Sequence, residues 1–392
     1  MTAMGLRVFD DPEVRAAAAR LRPDANLDEV IARAAWSVLI EPGDGVAGTL
    51  ITTMGARPAL EAAMGEASLL APGSVTAREL SEARARWRPR ARVSAVLDAL
   101  TSCLEVEGRM LLPGDQAWFA GLDDLGVHAP VLLWARGDVP ALIGRPTVSI
   151  VGARAASAYG ESAAADLAGD LAAGGTVVVS GGAYGIDGAA HRAALGAGGA
   201  TVAFLAGGID RAYPMGHQQL FDRIRRHGAV LSEVPCGGAP TKWRFLARNR
   251  MIAAAGAATV VVEAGWRSGS LNTAGHAAAL GRPLGAVPGP ITSAASAGCH
   301  RLLREYDAVC VTSAQEVREL CGEELTPTAP AAGAVDHERT RLLDALSGRT
   351  PRPVEDLARR SGLSPERVRS LLGLLTLDDA VVSDATGWRR RG

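Results

Sequence analysis

The sequence predicts an α/β protein built on a doubly wound, mainly parallel sheet, with a helical domain before it and a small helix-turn-helix domain after it. Between about residues 111 and 320, short uncharged strand-like runs alternate with helical stretches, which is typical of a parallel sheet covered on both faces. Residues 1–105 carry apolar side chains at helical spacing. Residues 337–392 show helices separated by a Gly-containing turn and a short strand-like end.

The length of 392 residues exceeds one ordinary domain and indicates two or three. We place the helical domain at residues 1–105 and the sheet domain at residues 106–322. A Pro- and Ala-rich stretch at 323–336 is typical of a linker. The helix-turn-helix domain follows at residues 337–392.

Composition and charge exclude several classes of protein. With 48% apolar and 21% charged residues, the chain is typical of a soluble globular protein. It shows no apolar run long enough to span a membrane and no basic-then-apolar leader, so we expect a cytoplasmic location. The five cysteines lack metal-ligand spacing, and we expect neither metal nor cofactor. Because the net charge is −1, any nucleic acid must bind at a local basic surface.

The N-terminal domain contains a helix–turn–helix unit around residues 27–54, with its turn at 42–45. Such a unit can bind a DNA backbone or can simply be a packed helical pair. Because the turn carries Glu41 and Asp44, which would repel phosphate, the packed pair is favoured. A cluster of arginines between residues 84 and 92 is interpreted as a solvated face or a linker.

The sheet domain opens with a buried strand at 148–151 that breaks at Gly152, and a helical pattern follows from Tyr159. A strand, a glycine turn and a helix start direct backbone N–H groups and a helix dipole at an anion. Arg154, at the tip of the turn, can form a forked contact with a phosphate. Any doubly wound domain needs such a turn, so this stretch alone leaves phosphate binding open.

Three further strands end in loops of the same kind. They lead into S-G-G-A-Y-G-I-D at 180–187, A-G-G at 206–208 and E-A-G-W-R-S-G-S at 263–270. Loops after the carboxyl ends of parallel strands lie at one edge of the sheet, and glycine lets backbone amides approach an oxyanion closely. Four such loops on one edge predict an anion-binding rim better than four unrelated turns do.

A basic and aromatic segment, T-K-W-R-F-L-A-R-N-R at 241–250, lies between two strands. Cations for phosphates and rings for base stacking are what a single strand requires. As a helix, the segment places Lys242 and Phe245 on one face. The alternative is an amphipathic helix that serves the core, and both can hold. We expect Leu246 and Ile252 to be buried and Lys242, the single lysine of the chain, to be exposed.

Four motifs together resemble the DNA-processing protein A family (DprA, also called Smf). They are V-G-A-R-x-x-S-x-Y-G from residue 151, S-G-G-A-x-G-I-D-x-x-A-H from 180, F-L-x-R-N-R from 245 and E-A-x-x-x-S-G-S-L-x-T from 263. Their order matches the family, and the resemblance covers about residues 111–320. It implies an extended Rossmann-like sheet, a sterile-alpha-motif-like (SAM-like) helical domain before it and a winged-helix domain after it.

The resemblance also implies a protein without catalytic activity that binds single-stranded DNA in natural transformation. Such proteins protect incoming DNA, form homodimers and load a RecA-type recombinase. The strand-contacting positions of the family fall on Arg154, Ser157, Ser180, Gly181, Gly182, Lys242 and Phe245. The remaining motifs are matched by Arg248, Asn249, Arg250, Ser268, Gly269 and Ser270. Many members carry Arg where Tyr184 stands, so a cation is lost there and a ring is offered instead.

Two other functions stay open. Related sheets serve nucleotide phosphoribohydrolases, in which a P-G-G-x-G-T loop accompanies a catalytic Glu. This chain lacks that loop after Glu263. Asp187 and His191, four apart on one helix, would form an acid–base pair in a hydrolase, but their motif contains no nucleophile.

The third function is that of a winged-helix regulator, and it rests on the C-terminal domain alone. Arg367, Arg369 and the arginines at 389–391 can meet DNA phosphates. A regulator should prefer one duplex sequence, whereas a single-strand binder should tolerate any sequence.

Overall fold

The computed structural model describes residues 4–65, 75–322, 337–377, 380–384 and 386–391. The chain divides into two compact units, residues 1–323 and 324–392. The predicted linker at 323–336 lies outside the described residues.

Helices fill the described part of residues 4–105. They are α1 Met4–Asp10, α2 Pro12–Leu21, α3 Leu27–Leu39, α4 Gly45–Met54, α5 Ala56–Met64, α6 Ala77–Trp87 and α7 Val93–Glu105, with a 3₁₀ turn at Arg88–Arg90. Several begin with a side chain that accepts a first-turn N–H group, namely Asp11, Asn26, Asp44 and Thr76. Trp36 and Trp87 join α3 to α6, with ring centroids 5.2 Å apart in an edge-to-face arrangement.

The acidic turn between α3 and α4 is used internally, and both helices pack on α5 rather than as a pair on each other. Asp44 caps α4 through the amides of Val46 and Ala47, and it also accepts the indole N–H of Trp87 at 3.0 Å. Glu41 accepts hydrogen bonds from Arg244 at 2.9 Å and Arg90 at 2.6 Å.

One nine-stranded sheet follows in the described part of residues 106–322. Its strands are β1 Arg109–Leu111, β2 Leu133–Gly137, β3 Thr147–Val151, β4 Val177–Ser180, β5 Thr201–Phe204, β6 Ala229–Ser232, β7 Ala258–Val261, β8 Leu284–Ala286 and β9 Val309–Cys310. The strand order is β1-β2-β6-β5-β4-β3-β7-β8-β9. The strands from β3 to β9 pair in parallel, whereas β1 and β2 add an antiparallel edge. This confirms the predicted Rossmann-like, doubly wound sheet.

Helices cover both faces of the sheet. They are α8 Ala158–Ala173, α9 Ile186–Gly196, α10 Gln218–His227, α11 Lys242–Ala255, α12 Ser270–Ala279, α13 Ala297–Glu305 and α14 Ala314–Leu320, with 3₁₀ segments at Ala120–His128, Val139–Leu142, Met215–His217 and Ala294–Ser296. Successive strand residues point to opposite faces, and Val148 and Ile150 of β3 belong to one hydrophobic cluster with α8, α9 and α14. Val151 and Val261 of β7 belong to the cluster on the other face, with α11, α12 and α13.

The N-terminal helices and one end of the sheet share a hydrophobic core. Trp134 of β2, Val230 of β6 and Ile224 of α10 belong to the same cluster of buried residues as Trp36 and Leu100. The helical region is therefore packed directly onto the sheet.

The order of the strands reverses next to β3. From β3 the chain moves through β4 and β5 to β6, and it then returns to place β7 on the other side of β3. The carboxyl ends of β3 and β7 therefore form a topological switch point, which is where doubly wound sheets bind ligands.

The C-terminal unit comprises α15 His337–Ala345, α16 Val354–Ser361, α17 Pro365–Leu377 and a two-stranded antiparallel wing, β10 Val381–Asp384 with β11 Gly387–Arg390. Gly362 ends α16 in the left-handed region at φ 65°, which glycine adopts without strain. Pro365 begins α17, where its missing N–H costs nothing. Three helices followed by a wing confirm the winged-helix prediction.

Candidate nucleic-acid interface

A crevice of about 500 Å³ lies at the switch point. It is lined by the loops that follow β3, β4 and β7 and by one side of α11. The structure thus brings three of the predicted glycine loops to one place, beside the basic and aromatic segment. The A-G-G loop at 206–208 lines a neighbouring cavity of about 460 Å³ instead. Phe245 borders both cavities.

The loop after β3 presents Arg154 at the mouth of the crevice. Arg154 is exposed, and its guanidinium carbon lies 4.7 Å from the centroid of the Phe245 ring. It forms no ion pair with any residue that the structure describes. Ser157 caps α8 by accepting the amide of Gly160 at 3.1 Å, while its own N–H and O–H groups donate to Glu263.

The loop after β4 is buried rather than open. The hydroxyl of Ser180 is fully buried and donates to the carbonyl of Ile150 at 2.6 Å. A Cβ atom on Gly181 would lie 2.2 Å from the Arg248 guanidinium, and one on Gly182 would lie 2.6 Å from the Phe221 ring. These glycines therefore allow close packing. The sequence prediction that they open the loop to an oxyanion was wrong.

Helix α11 is exposed at its first turn and buried in its second half. Thr241 caps its first turn by accepting the amide of Arg244. Lys242 is exposed, Trp243 is 61% exposed and Phe245 is half-buried. The ring of Tyr213 lies 5.4 Å from that of Phe245, on the side of the neighbouring cavity. The first turn thus displays two aromatic rings and one exposed cation, Lys242, while its other cation, Arg244, pairs with Glu41.

The second half of α11 is buried in the interior of the domain. Arg248 is 5% exposed and donates to the carbonyl of Gly181 at 2.6 Å and to that of Phe204. Burial lowers the pKa of Arg248 to about 10, although the nearby Asp187 opposes this. Its Nε has no hydrogen-bond partner within the described ranges.

Arg250 lies in a buried ion pair. Its two terminal nitrogens each lie 2.6 Å from a carboxylate oxygen of Glu233, and its Nε donates to the carbonyl of His128. Both partners have side chains 7% exposed. Asn249 donates to Asn272 at 3.2 Å. The structure therefore brings Asn249 to the crevice and uses Arg250 to hold α11 to its neighbours.

The prediction for Leu246 was wrong. Leu246 is 36% exposed, whereas Ile252 is 1% exposed as predicted. The first turns of α11 project beyond the sheet, so the apolar face of the helix is covered only from Arg248 onward.

The loop after β7 forms the third wall of the crevice. Gly269 is exposed, Ser268 is half-buried and Ser270 is buried as the first residue of α12. The hydroxyls of Ser268 and Ser270 are 2.8 Å apart and hydrogen-bond to each other.

Sequence reasoning missed two residues of this surface. Arg267 lines the crevice, is exposed and forms no ion pair in the described part of the chain. Its position between Trp266 and Ser268 in a motif loop was a usable signal. Tyr213 carried none, because it reaches Phe245 only through the tertiary fold. Tyr184 is 49% exposed, and its ring lies 4.8 Å from that of His217.

Comparison with known proteins identifies the family. Residues 109–322 match the model of the DNA recombination-mediator protein A family, and residues 326–385 match the DprA winged-helix domain. The chain belongs to the DNA recombination-mediator protein A family. A putative DNA processing protein DprA of Mycobacterium tuberculosis is 44% identical over 319 residues, covering 76% of this chain and 81% of the relative.

Other members of the DNA recombination-mediator protein A family extend the match. Protein Smf of Escherichia coli is 35% identical, covering 69% of this chain and 75% of its own. The crystal structure of DNA processing protein A from Streptococcus pneumoniae is 31% identical and superposes with a TM-score of 0.60 over 74% of this chain and 97% of that one. The predicted family is confirmed.

Two findings concern all the described residues of this DprA family chain. No helix among them is long and apolar enough to cross a membrane, and they contain no cluster of metal-binding side chains. In the winged-helix unit, Arg367 pairs with Glu338 at 2.6 Å and Arg369 with Glu355 at 3.7 Å.

Proposed function

We propose that this protein is a cytoplasmic, sequence-tolerant single-stranded DNA-binding protein without enzymatic activity. In this proposal it protects incoming DNA during natural transformation, acts as a homodimer and loads a RecA-type recombinase onto the strand. Membership of a DNA recombination-mediator family supports a role on DNA.

One observation carries the single-strand part of the proposal. The exposed cations Arg154 and Arg267 line the crevice together with Phe245, and exposed Lys242 lies one turn before Phe245 on α11. None of the three cations has a carboxylate partner among the described residues. Unpaired cations attract phosphates, whereas aromatic rings bind bases that are not already stacked in a duplex. The two together favour a single strand.

The mechanism that we propose divides the work between phosphates and bases. Arg154, Lys242 and Arg267 contact the phosphates, with Ser268 and Gly269 beside them. Arg154 now covers one face of the Phe245 ring, so a base stacks there only after the guanidinium moves aside to a phosphate. Phosphate contacts and base stacking involve no hydrogen bonds to the base edges, so the binding does not depend on the base sequence.

The remaining predicted residues shape this surface in our proposal. Their side chains or backbone groups are buried or already hydrogen-bonded, and they are Ser157, Ser180, Gly181, Gly182, Arg248, Asn249, Arg250 and Ser270.

Both carboxylates that an enzyme would use are engaged in hydrogen bonds. Glu263 is 2% exposed, does not line the crevice and accepts both donors of Ser157. Asp187 lines the crevice, but it is 6% exposed and accepts the amides of Gly181 and Ala183. We therefore expect no release of base from AMP, and turnover that Asp187→Asn abolishes would contradict the non-enzymatic proposal.

The test of strand binding is a fluorescence-anisotropy titration with single-stranded and duplex oligonucleotides across salt concentrations. We expect tighter binding of the single strand. Arg154→Glu and Lys242→Glu should weaken it and flatten its salt dependence, with unchanged thermal unfolding. Unchanged affinity in both variants, or tighter duplex binding, would remove the site assignment.

The dimer and the recombinase have their own measurements. Light scattering should give twice the chain mass. In a separate assay, the wild-type protein should speed the formation of recombinase filaments on single-stranded DNA. Arg154→Glu should lose this stimulation in step with its loss of strand affinity.

A further inference from the structure

Two buried carboxylates hold the backbone of the crevice loops. Glu263 accepts the amide of Ser157 at 2.8 Å and its hydroxyl at 2.6 Å. Asp187 accepts the amides of Gly181 at 3.2 Å and Ala183 at 3.3 Å. These are donors that a bound oxyanion would otherwise attract. The loops that the sequence predicts as phosphate cradles thus already hold carboxyl groups of the chain itself.

Glu263 occupies the more definite of the two positions. It lies at the start of α8, a helix of 16 residues whose cap is Ser157. Although it is 2% exposed, it forms no ion pair with any described residue. A buried carboxylate without a cation needs other compensation, and the N–H donors and the positive end of a helix dipole supply it.

The surrounding backbone is shaped to admit this carboxylate. A Cβ atom on Gly160, in the first turn of α8, would lie 2.5 Å from Oε2 of Glu263 and 2.9 Å from its carboxyl carbon. Only glycine leaves enough room there, because the carboxylate lies directly against the helix. The main chain of Glu263 is fixed as well, since its carbonyl accepts the amide of Ala153 at 2.7 Å.

We propose that Glu263 is a specificity-determining residue that fills the anion position at the start of α8 and so excludes free phosphate and mononucleotides from the switch point. A mononucleotide needs one concentrated anion site, whereas a polynucleotide binds through several separated contacts. With this position filled, a ligand meets the separated contacts of the proposed strand site, namely the exposed cations, the Ser268–Gly269 loop and Phe245. The inference rests on the proposed strand-binding function, because it explains why that edge selects a polymer.

The test removes the carboxylate and supplies a replacement. Glu263→Ala leaves the start of α8 without its anion, and sodium phosphate or AMP is titrated by calorimetry at constant ionic strength. We expect the variant to bind each at least about tenfold more tightly than the wild type. Phosphate should also raise the melting temperature of the variant and not that of the wild type.

A matched variant separates charge from volume. Glu263→Gln keeps the volume filled while it removes the charge, so it should be less stable than the wild type and should gain no phosphate affinity. If Glu263→Ala folds poorly, refolding in phosphate and in chloride replaces the titration, and recovery in phosphate alone supports the inference.

Three results would overturn the inference. They are equal affinity of wild type and Glu263→Ala for phosphate and AMP, equal gain by Glu263→Gln, and equal refolding yields in the two salts. Wild-type binding to oligonucleotides, measured alongside, distinguishes the two proposals. If it is absent while Glu263→Ala gains phosphate affinity, strand binding fails and the anion position is supported.

Discussion

The two halves of α11 contain similar residues and lie in opposite environments. Lys242 and Trp243 are exposed in the first half, and Lys242 has no carboxylate partner in the ranges described. In the second half, Arg248 and Arg250 are each 5% exposed and their guanidinium groups are hydrogen-bonded. The difference shows that a count of cations does not identify a binding surface. In our proposal the unpaired cations mark the surface, because a buried arginine is stable only when its charge is compensated.

The C-terminal unit gives the same lesson. Arg359 and Arg360 share the carboxylate of Asp356, and Arg367 pairs with Glu338. Although this unit resembles a DNA-binding module, much of its positive charge is balanced within it. Arg154, Arg267 and Phe245 line one crevice, and neither arginine has an ion-pair partner among the described residues; Asp187, which also lines it, is 6% exposed.

The largest effect is expected in the buried half of α11. Arg250→Met leaves Glu233 buried without its partner, and loss of one member of a buried ion pair costs about 3–5 kcal/mol. Urea unfolding should show this loss, and the folded fraction should bind single strands as the wild type does. Replacing Glu233 by Leu in the same chain should restore most of the stability. Lower strand affinity at unchanged stability would instead place Arg250 in the binding surface.

The second largest effect, on strand affinity, is expected at the Phe245 ring between the two halves of α11. Phe245→Leu should weaken strand binding by about 1–3 kcal/mol, the range for one base stacked on an aromatic side chain. Tyr306→Leu is the control, because Arg301 lies 5.5 Å from that ring in a similar arrangement away from the crevice. Anisotropy should separate the two variants, and equal losses would argue against stacking on Phe245.

The folding stability should depend on pH through His191 of α9. His191 is fully buried, and its Nδ1 lies 2.7 Å from the hydroxyl of Thr201, which itself donates to a carbonyl. Nδ1 therefore carries the proton and Nε2 is bare. Burial lowers the pKa of His191 to about 3, helped by the charges of His217, Arg248 and Arg192.

The sign of the effect follows from that lowered pKa. Below pH of about 6.5 the unfolded chain binds a proton at His191 that the folded chain refuses. Stability should therefore fall as the pH drops from about 6.5 toward 3, by up to about 1.4 kcal/mol per pH unit. His191→Asn, which keeps a donor for Thr201, should show a shallower fall in urea unfolding. Parallel curves would mean that His191 does not titrate in this way.

The smallest effect is expected at the exposed end of α11. Lys242→Gln should reduce the slope of log affinity against log salt by about 0.7, the value for one phosphate contact on a single strand. Arg78→Gln on α6, where the side chain is 87% exposed, serves as the control. An unchanged slope for Lys242→Gln would show that this lysine meets no phosphate.

Local patterns in the sequence determined much of the fold. The β-branched run at 148–151 lies within β3, and the Gly-rich stretch at 180–187 leads into α9 as predicted. The strand-and-helix alternation gave the sheet, and the family motifs placed Arg154, Phe245 and Ser268 around one crevice. These features are readable because strand and helix periods and turn residues act over a few positions.

The tertiary structure alone decided which charges are free. Arg250 pairs with Glu233, 17 residues away, and Arg248 bonds to Gly181, 67 residues away. Glu263 reaches Ser157 across 106 residues. No local pattern encodes such partners, because burial and compensation of a charge depend on groups that only folding brings together. The sequence therefore determined the elements and the rim that carries the candidate site, and the fold determined which charged residues of that rim stay exposed and unpaired.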